Sequence, residues 1–325
     1  MYLKQRIKKQ IISLSLIGSA LLTTGCLHNT QPPTTAESTP VPMASHPLNG
    51  KIVSIATSQP LSYTQMLKQL KTSRFILLGE KHDNPEHHLR ELQLLKGLQN
   101  GRKTRLVLEM LDEKQAEHID LLSPKSSEAQ IQKKLNWNDS SWPWQDYGPL
   151  ISAALEDQNQ LKAGNLSKPV VMQIYQNDMP DQARLTTVKA IPEAIKATMQ
   201  QQVYDSHCQM IPLDQMGPMT QIQLSRDASM AYALSDNLGD NMQAMLVSGT
   251  FHARKDTGVP LHLQQRTSEP FVTILLTETD AAVLSIDEAI APYSEMADYI
   301  WFTSRSAEKD YCASLRQQSH QQSDN

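Results

Sequence analysis

Acidic and imidazole side chains follow three separate apolar runs of this sequence, each at the point where the run ends. Glu80 and His82 follow the apolar residues 75–78, and Glu109 ends a second run. His252 follows a third run, in a Gly-x-x-His pattern that also ends at His82. Short apolar runs of this kind predict buried strands, and open α/β sheets bind ligands at the carboxyl ends of their strands. We therefore expect these four side chains to lie close together at one edge of a parallel sheet.

Two kinds of chemistry suit such a cluster. Carboxylates and imidazoles could hold a divalent cation and activate water, as in a metal-dependent hydrolase. Alternatively, the side chains only hold one another by hydrogen bonds, as an inert relic of such a site. The chain has no Gly-x-Ser-x-Gly segment, which argues against a standard serine hydrolase. The sequence thus predicts a metal site, or its remnant, at Glu80, His82, Glu109 and His252.

A predicted helix follows the first of these strands and carries two adjacent histidines. Asp83 or Asn84 can cap it, and we expect it to cover residues 85–98. His87 and His88 fall in its first turn, where the helix dipole attracts anions. They suit a ligand that bears carboxylates, or they are solvated surface histidines.

Three of the four tryptophans of the chain fall in one short segment, and a tyrosine follows them. They are Trp137, Trp142 and Trp144, with Tyr147 next, in a chain that is only 5% aromatic. The cluster could be a hydrophobic plug over the sheet. It could equally be a slot for a flat apolar ligand, with the Tyr147 hydroxyl as its polar contact.

The pattern of elements predicts an α/β fold with a mainly parallel sheet flanked by helices and a smaller helical subdomain. Further strands are predicted at residues 161–164, 272–276 and 299–302, and residues 169–175 are expected to be extended. Helices are predicted at residues 61–70, 113–122, 150–156, 180–202 with a break at Pro192, and 216–238.

The N-terminus has the composition of a bacterial export signal. Four basic residues within the first nine precede an apolar stretch at 11–22 that is too short to span a membrane comfortably. The stretch ends in Leu-Leu-Thr-Thr-Gly-Cys and is similar to a lipoprotein signal, whose cysteine, here Cys26, is lipidated after cleavage. Thr23 departs from that pattern, which usually has leucine, and an ordinary secretory signal with a free cysteine is the alternative. Leu27, in place of an aspartate, favours the outer membrane.

These features divide the chain into four parts. We expect a signal peptide at 1–26 with Cys26 as the first mature residue, a flexible tether at 27–49, an α/β domain at 50–315 and a disordered tail at 316–325. Against 34 acidic residues the chain has 30 Lys and Arg, a formal charge of -4, and no basic block. Nucleic acid is therefore not an expected partner.

Two cysteines remain if Cys26 carries a lipid. Cys208 and Cys312 are then an even pair in an oxidising compartment, and we expect a disulfide between them. The chain has no Cys-x-x-Cys-His segment, which excludes covalent c-type haem, and no Cys-x-x-Cys zinc pattern.

Eight segments, in their order along the chain, resemble the ChaN family of haem-binding lipoproteins. They are LLGEKHDNPEHH, LVLEML, WPWQDYGPL, AGNL, DSHCQMIP, RDASMA, GTFHARKDTGVPLHL and DYIWFTSR. The family is part of a wider superfamily with the metalloprotease-like Tiki proteins and the erythromycin esterases, which share the Gly-x-x-His and Glu constellation.

The resemblance implies an α/β domain that binds b-type, non-covalent haem at a homodimer interface. One tyrosine would hold each iron, as a phenolate that suits ferric iron. Tyr147 is the first choice for this ligand and Tyr204 the second. His87 or His88 and Lys255 would contact the haem propionates from the other protomer, although Lys255 could also be a solvated side chain.

The function that the resemblance implies is haem and iron uptake or storage at the outer membrane, not catalysis. A lipid, palmitate included, would anchor the protein there, facing the periplasm or the surface. An outer-membrane haem receptor is an expected partner. The alternative remains a metal-dependent hydrolase that uses the paired Gly-x-x-His and Glu site.

Overall fold

An eight-stranded sheet with helices on both faces makes up most of the chain in the computed structural model, which describes residues 46–99, 102–313 and 316. The strands are β1 Ile52–Ser54, β2 Gln59–Leu61, β3 Phe75–Glu80, β4 Lys103–Asp112, β5 Gln160–Asn165, β6 Met242–Gly249, β7 Phe271–Glu278 and β8 Tyr299–Thr303. The helices are α1 Tyr63–Leu70, α2 Pro85–Gly97, α3 Ala116–Ile119, α4 Glu128–Lys134, α5 Trp144–Glu156, α6 Lys168–Tyr175, α7 Glu193–Ser206, α8 Gly217–Ser235, α9 Thr250–Ala253, α10 Val259–Leu263 and α11 Ile286–Ile290. The prediction of a mainly parallel α/β sheet is confirmed.

The strand order is β2-β1-β8-β7-β3-β6-β4-β5, and the six strands from β8 to β5 pair in parallel. β1 and β2 add an antiparallel edge that the sequence did not predict. The chain leaves β3 toward β4 and β5 on one side, and later builds β7 and β8 on the other side of β3. β3 and β6 therefore lie where the connections change direction, which is the usual place for a ligand site.

Alternate residues of the strands feed two separate cores. Ile76 and Leu78 of β3 pack with α1, α2 and α5 on one face of the sheet. Phe75 and Leu77 pack with α8 and α10 on the other face. Because strand side chains alternate between faces, a strand that is apolar at every position must be covered on both sides.

A third core lies among the helices α6, α7 and α8 and the short 3-10 turns Ala183–Leu185 and Val188–Ala190. It corresponds to the smaller helical subdomain that the sequence predicted. Its first helix was predicted wrongly, because residues 169–175 form α6 and not an extended segment. Ser167 at the N-cap position and Pro169 in the first turn start this helix, and these signals outweigh the β-branched pair that follows.

The expected disulfide is confirmed. Cys208 follows α7 and is bonded to Cys312, 104 residues away in the sequence. The bond ties the C-terminal segment to the helical subdomain.

Several predicted features lie outside the described residues. These are the signal peptide with Cys26, residues 27–45 of the tether and residues 317–325 of the tail. The described end of the predicted tether forms a turn, and Leu48 within it is buried in the second core. Among the described residues, no helix is both long and apolar enough to cross a bilayer.

Candidate functional site

The polar residues predicted to converge do meet at the carboxyl edge of β3, β6 and β4. Glu80, the last residue of β3, lies opposite Gly249 in the parallel register with β6. Glu109 projects from β4 on the far side of β6. His252 follows β6 in the short helix α9. Three neighbouring parallel strands thus deliver these side chains to one place, because their carboxyl ends share one sheet edge.

Glu109 lies between the two histidines of the Gly-x-x-His segments. Its Oε1 lies 3.4 Å from His252 Nε2 and its Oε2 lies 3.9 Å from His82 Nε2. The Gly249 N–H also donates to Glu109 Oε2, at 2.8 Å. Although burial opposes ionisation, the His252 charge and these hydrogen bonds hold the pKa of Glu109 far below its usual range.

His252 has a second carboxylate that the sequence did not suggest. Its Nδ1–H donates to Asp227 of α8 at 2.5 Å. Burial lowers the pKa of an imidazole, but the charges of Glu109 and Asp227 raise that of His252 to about 10. The pair of carboxylates therefore favours an imidazolium at the end of β6.

Asp227, His252, Glu109 and His82 form a row of hydrogen-bonded and paired side chains. Glu80 connects this row to the aromatic cluster. Its Oε1 accepts hydrogen bonds from the Tyr147 hydroxyl at 2.8 Å and from His82 Nδ1 at 2.9 Å. Burial, and then the charge of Glu91, raise the pKa of Glu80 to about 7. Burial and the neighbouring Glu80 carboxylate also raise the pKa of Tyr147 far above its ordinary value.

Gly249 is required by the closeness of the His82 ring. A Cβ at this position would lie 2.8 Å from His82 Nε2. The glycine in the second Gly-x-x-His segment therefore makes room for the histidine of the first.

The aromatic segment has one part that is buried and another part that faces a cleft. Trp142 stands edge-on to the Tyr147 ring, with the centroids 6.0 Å apart, and to the His82 ring at 4.9 Å. Trp137 contacts Trp144 in the same edge-on manner. Tyr147 is fully buried beneath them, as a plug would be, whereas Trp142 forms part of a cleft wall.

A cleft of about 820 Å³ opens above these residues. Glu80, His82, His88 and Trp142 contribute to its floor and walls. At the rim, Lys309 Nζ lies 3.3 Å from Asp83, and the Tyr311 hydroxyl donates to the same carboxylate. The C-terminal segment next to the disulfide therefore forms one side of the cleft.

The three side chains predicted to contact the haem propionates lie in different surroundings. His87 is buried: its Nδ1 accepts from the Lys81 N–H at 2.8 Å and its Nε2 contacts Thr303 Oγ1 at 2.9 Å. Burial lowers the pKa of His87 to about 4, so it favours the neutral form. Lys255 pairs with Asp298 at 2.6 Å and lines neither the cleft nor the groove described next. His88 reaches the cleft.

A second cavity, a largely apolar groove of about 260 Å³, lies between α6, α7, α8 and α9. Its polar contributors include Tyr175, His207 and Arg226, and Phe251 lies at the boundary with the cleft. The His207 Nδ1–H donates to the Val203 carbonyl at 2.7 Å, which leaves Nε2 for a ligand. The second predicted tyrosine, Tyr204, is half-buried against the third core and is not among the lining residues.

Four residues near the two cavities were not predicted from the sequence: Asp227, Glu91, Tyr175 and Phe251. Asp227 and Phe251 lie in segments that carry the family resemblance, and a search of those segments for charged and aromatic residues would have found them. Glu91 lies three residues after His88, and this spacing places both side chains on one helix face. Tyr175 ends a segment that was predicted to be extended, so its position beside α7 was not foreseeable.

The chain matches a protein family described as haem-binding uptake, Tiki superfamily, ChaN, over residues 66–263, and it belongs to that family. The class that fold and sequence define is therefore that of the haem-binding ChaN proteins.

Among solved structures, the fold is similar to that of ChaN from Campylobacter jejuni, which was solved with cofacially bound haem. The two are 23% identical with a TM-score of 0.64, over 77% of this chain and 95% of that one. A mutant erythromycin esterase, EreC, in its open conformation covers 80% of this chain and 99% of its own at 12% identity and a TM-score of 0.47. No protein of curated function matches the sequence.

Proposed function

We propose that this protein binds haem at a homodimer interface, as a lipid-anchored carrier or store at the outer membrane. The observation that carries the proposal is the apolar groove between α6, α7 and α8, which presents Tyr175, His207 and Arg226. Haem is a flat apolar ring with two carboxylates, and the groove would take part of the ring while a second protomer covers the rest. Membership of a haem-binding family supports the same ligand.

Exposed apolar side chains around the groove support a dimer. Met172 and Tyr175 of α6 are 44% and 46% exposed, and Phe251 of α9 is 50% exposed. Met210 and Leu213, which follow α7, are exposed to a similar degree. Exposed apolar side chains are typical of interaction sites when they lie together, and a second copy with a haem between the protomers would cover them.

The position of each hydroxyl ranks the candidate iron ligands. Tyr147 is fully buried and its hydroxyl already donates to Glu80. A phenolate there would also face a carboxylate, which disfavours its ionisation. Tyr175 lines the groove and is exposed, whereas Tyr204 is half-buried outside it. We therefore propose Tyr175 as the first candidate, with Tyr147 and Tyr204 as the alternatives.

Cationic and imidazole groups near the groove could bind the propionates. Arg226 lines the groove, and its Nε is buried without a hydrogen-bond partner. Arginine binds carboxylates in two-point geometry, so it suits a propionate. His88 in the cleft and Lys255 are the alternatives from the sequence, and His87 has both ring nitrogens occupied.

Haemin titration of the mature chain without its lipidated cysteine, residues 27–325, tests this proposal. We expect saturable binding with a shifted Soret band in the wild type. Tyr175→Phe should weaken binding by at least about tenfold, which is ~1.4 kcal/mol, because it removes the iron ligand. Tyr147→Phe and Tyr204→Phe are the matched controls and should bind as the wild type does. Loss in one of these controls would move the ligand, and absence of saturable binding in the wild type would contradict haem binding itself.

Lipidation at Cys26 is a separate part of the proposal. The full chain, expressed in a bacterium with an outer membrane, should fractionate with that membrane and carry acyl chains on Cys26 by mass spectrometry. Cys26→Ser should release the protein into the soluble fraction. Outer-membrane recovery of the serine variant would contradict lipid anchoring.

A second candidate function, hydrolysis, is favoured by the row Asp227, His252, Glu109 and His82. A buried imidazole between two carboxylates is an arrangement that can hold a proton or orient water. If the protein is a hydrolase, His252→Ala should abolish turnover of ester or peptide substrates in the presence of divalent metal. Activity that survives in this variant would exclude the row as its catalytic centre.

A further inference from the structure

Glu80 has a second carboxylate oxygen, Oε2, which makes none of the contacts to His82 or Tyr147 described above. Glu80 Oε2 points to His88 Nδ1, 3.5 Å away, and Glu91 Oε1 lies 3.3 Å from the same nitrogen. His88 and Glu91 are three residues apart on α2, so they share a helix face. All three side chains are more than nine-tenths buried.

The other ring nitrogen of His88 determines what this site can bind. His88 Nε2 lies 3.2 Å from the His82 carbonyl oxygen, which can only accept, so Nε2 must be the donor. In the neutral ring, Nδ1 then carries a lone pair. This nitrogen, Glu80 Oε2 and both oxygens of Glu91 are buried without a hydrogen-bond partner. When both carboxylates are ionised and the ring is neutral, these acceptors converge with no donor among them, an arrangement that is costly unless a proton or a cation lies between them.

The spacing of these atoms fits a metal ion. Among the described residues, one group of three or more His, Cys, Asp or Glu side chains has ligand atoms that all lie within 4.8 Å of one another. This group is Glu80, His88 and Glu91. Bonds of roughly 2.0–2.2 Å in a tetrahedral arrangement hold neighbouring ligand atoms about 3.3–3.6 Å apart. The two distances from His88 Nδ1, 3.3 and 3.5 Å, fall in this range.

We propose that Glu80, His88 and Glu91 form a buried site for one divalent transition-metal cation, with Zn²⁺ or Mn²⁺ as the matching ions. One imidazole and two carboxylates suit these borderline and hard cations, whereas the set has no soft sulfur ligand. The hydrogen bond from His88 Nε2 to a carbonyl is the outer contact that commonly orients a metal-binding histidine. Glu80 and His88 also line the cleft, which gives the ion a path from solvent.

This site is distinct from the row that contains Glu109 and His252. Glu80 uses Oε1 for Tyr147 and His82, and it presents Oε2 to His88 and Glu91. Glu109 and His252 are paired with each other and with Asp227 on the other side of His82. Substitutions can therefore separate the two groups.

Metal titration of the haem-free mature chain tests the proposal. The protein is stripped with EDTA, titrated separately with Zn²⁺ and Mn²⁺, and analysed for bound metal after desalting and for its thermal midpoint. We expect one ion per chain in the wild type and a higher thermal midpoint when it is bound. Glu91→Gln and His88→Gln should each weaken binding by at least about tenfold.

Glu86→Gln is the matched control, because it removes a carboxylate from the same helix, where Glu86 pairs with Arg90 outside the site. It should bind metal as the wild type does. Glu109→Gln tests whether the ion lies at the neighbouring row instead. The proposal is overturned if the wild type binds no ion, if Glu91→Gln and His88→Gln both bind like the wild type, or if only Glu109→Gln loses the ion. Because haem is absent from the titration, these outcomes do not depend on haem binding.

Discussion

Burial and neighbouring charges shift the pKa values of single side chains in this protein, and two buried histidines are shifted in opposite directions. His252 lies between two carboxylates, which raise its pKa to about 10. His262 lies in α10 beside Thr187 Oγ1, 2.8 Å away, and burial lowers its pKa to about 4. Burial alone therefore favours the neutral ring, and only paired carboxylates reverse this preference.

His262 should make stability depend on pH. Between about pH 6.5 and 4 the unfolded chain binds a proton at this residue that the folded chain does not bind, so stability falls as the pH falls. At ~1.4 kcal/mol per pKa unit, the loss approaches about 3 kcal/mol. Urea unfolding at several pH values in this range, for the wild type and His262→Gln, measures it. Equal pH slopes in the two proteins would contradict the assignment.

At the scale of elements, the sequence predicts those features of the site that depend on local patterns along the chain. Apolar runs that end in Glu80, Glu109 and the second Gly-x-x-His segment indicate parallel strands, and parallel strands must bring their carboxyl ends together. Asp227 reaches the same edge only because α8 packs across the sheet, and no local pattern predicts that packing. The groove was likewise not predictable, since it needs four helices from separate parts of the sequence.

The close packing of β3 against α9 gives a prediction for Gly79. An added Cβ would lie 2.6 Å from Leu275 Cδ2 and 2.9 Å from Ala253 Cβ. We expect Gly79→Ala to destabilise the fold by about 1–3 kcal/mol, because this crowded place has little room to adjust.

Gly217, in the first turn of α8, is the control. A Cβ there meets nothing within 4 Å, so Gly217→Ala should be neutral or stabilise by up to about 1 kcal/mol. Chemical unfolding of both variants checks the pair. Similar free energies of unfolding for the two variants would show that the close approach at β3 is not rigid.

At the scale of the whole molecule, the disulfide connects the helical subdomain with the C-terminal segment. That segment carries Lys309 and Tyr311 to the rim of the cleft, where both contact Asp83. Cys208 lies next to His207 of the groove. One covalent bond therefore joins two segments, one of which borders the groove and the other the cleft.

Loss of this disulfide should lower stability and loosen the rim of the cleft. A bond that closes a loop of 104 residues is expected to contribute about 4–5 kcal/mol through the restriction of the unfolded chain. The double variant Cys208→Ser, Cys312→Ser should show this loss in chemical unfolding, and reduction of the wild type should reproduce it. An unchanged midpoint after complete reduction would show that the bond adds nothing to stability.

Haem at a dimer interface is the central claim, and the solution mass of the mature chain with and without haemin tests it most directly. We expect haemin to shift the mass to that of two protomers, with one haem for each. Phe251→Glu places a charge on the exposed apolar surface beside the groove and should prevent the shift. Leu121→Glu, at an exposed leucine that lines neither cavity, is the control and should dimerise normally. A haem-bound protein that keeps the mass of one protomer, or a Phe251→Glu variant that dimerises like the wild type, would contradict the claim.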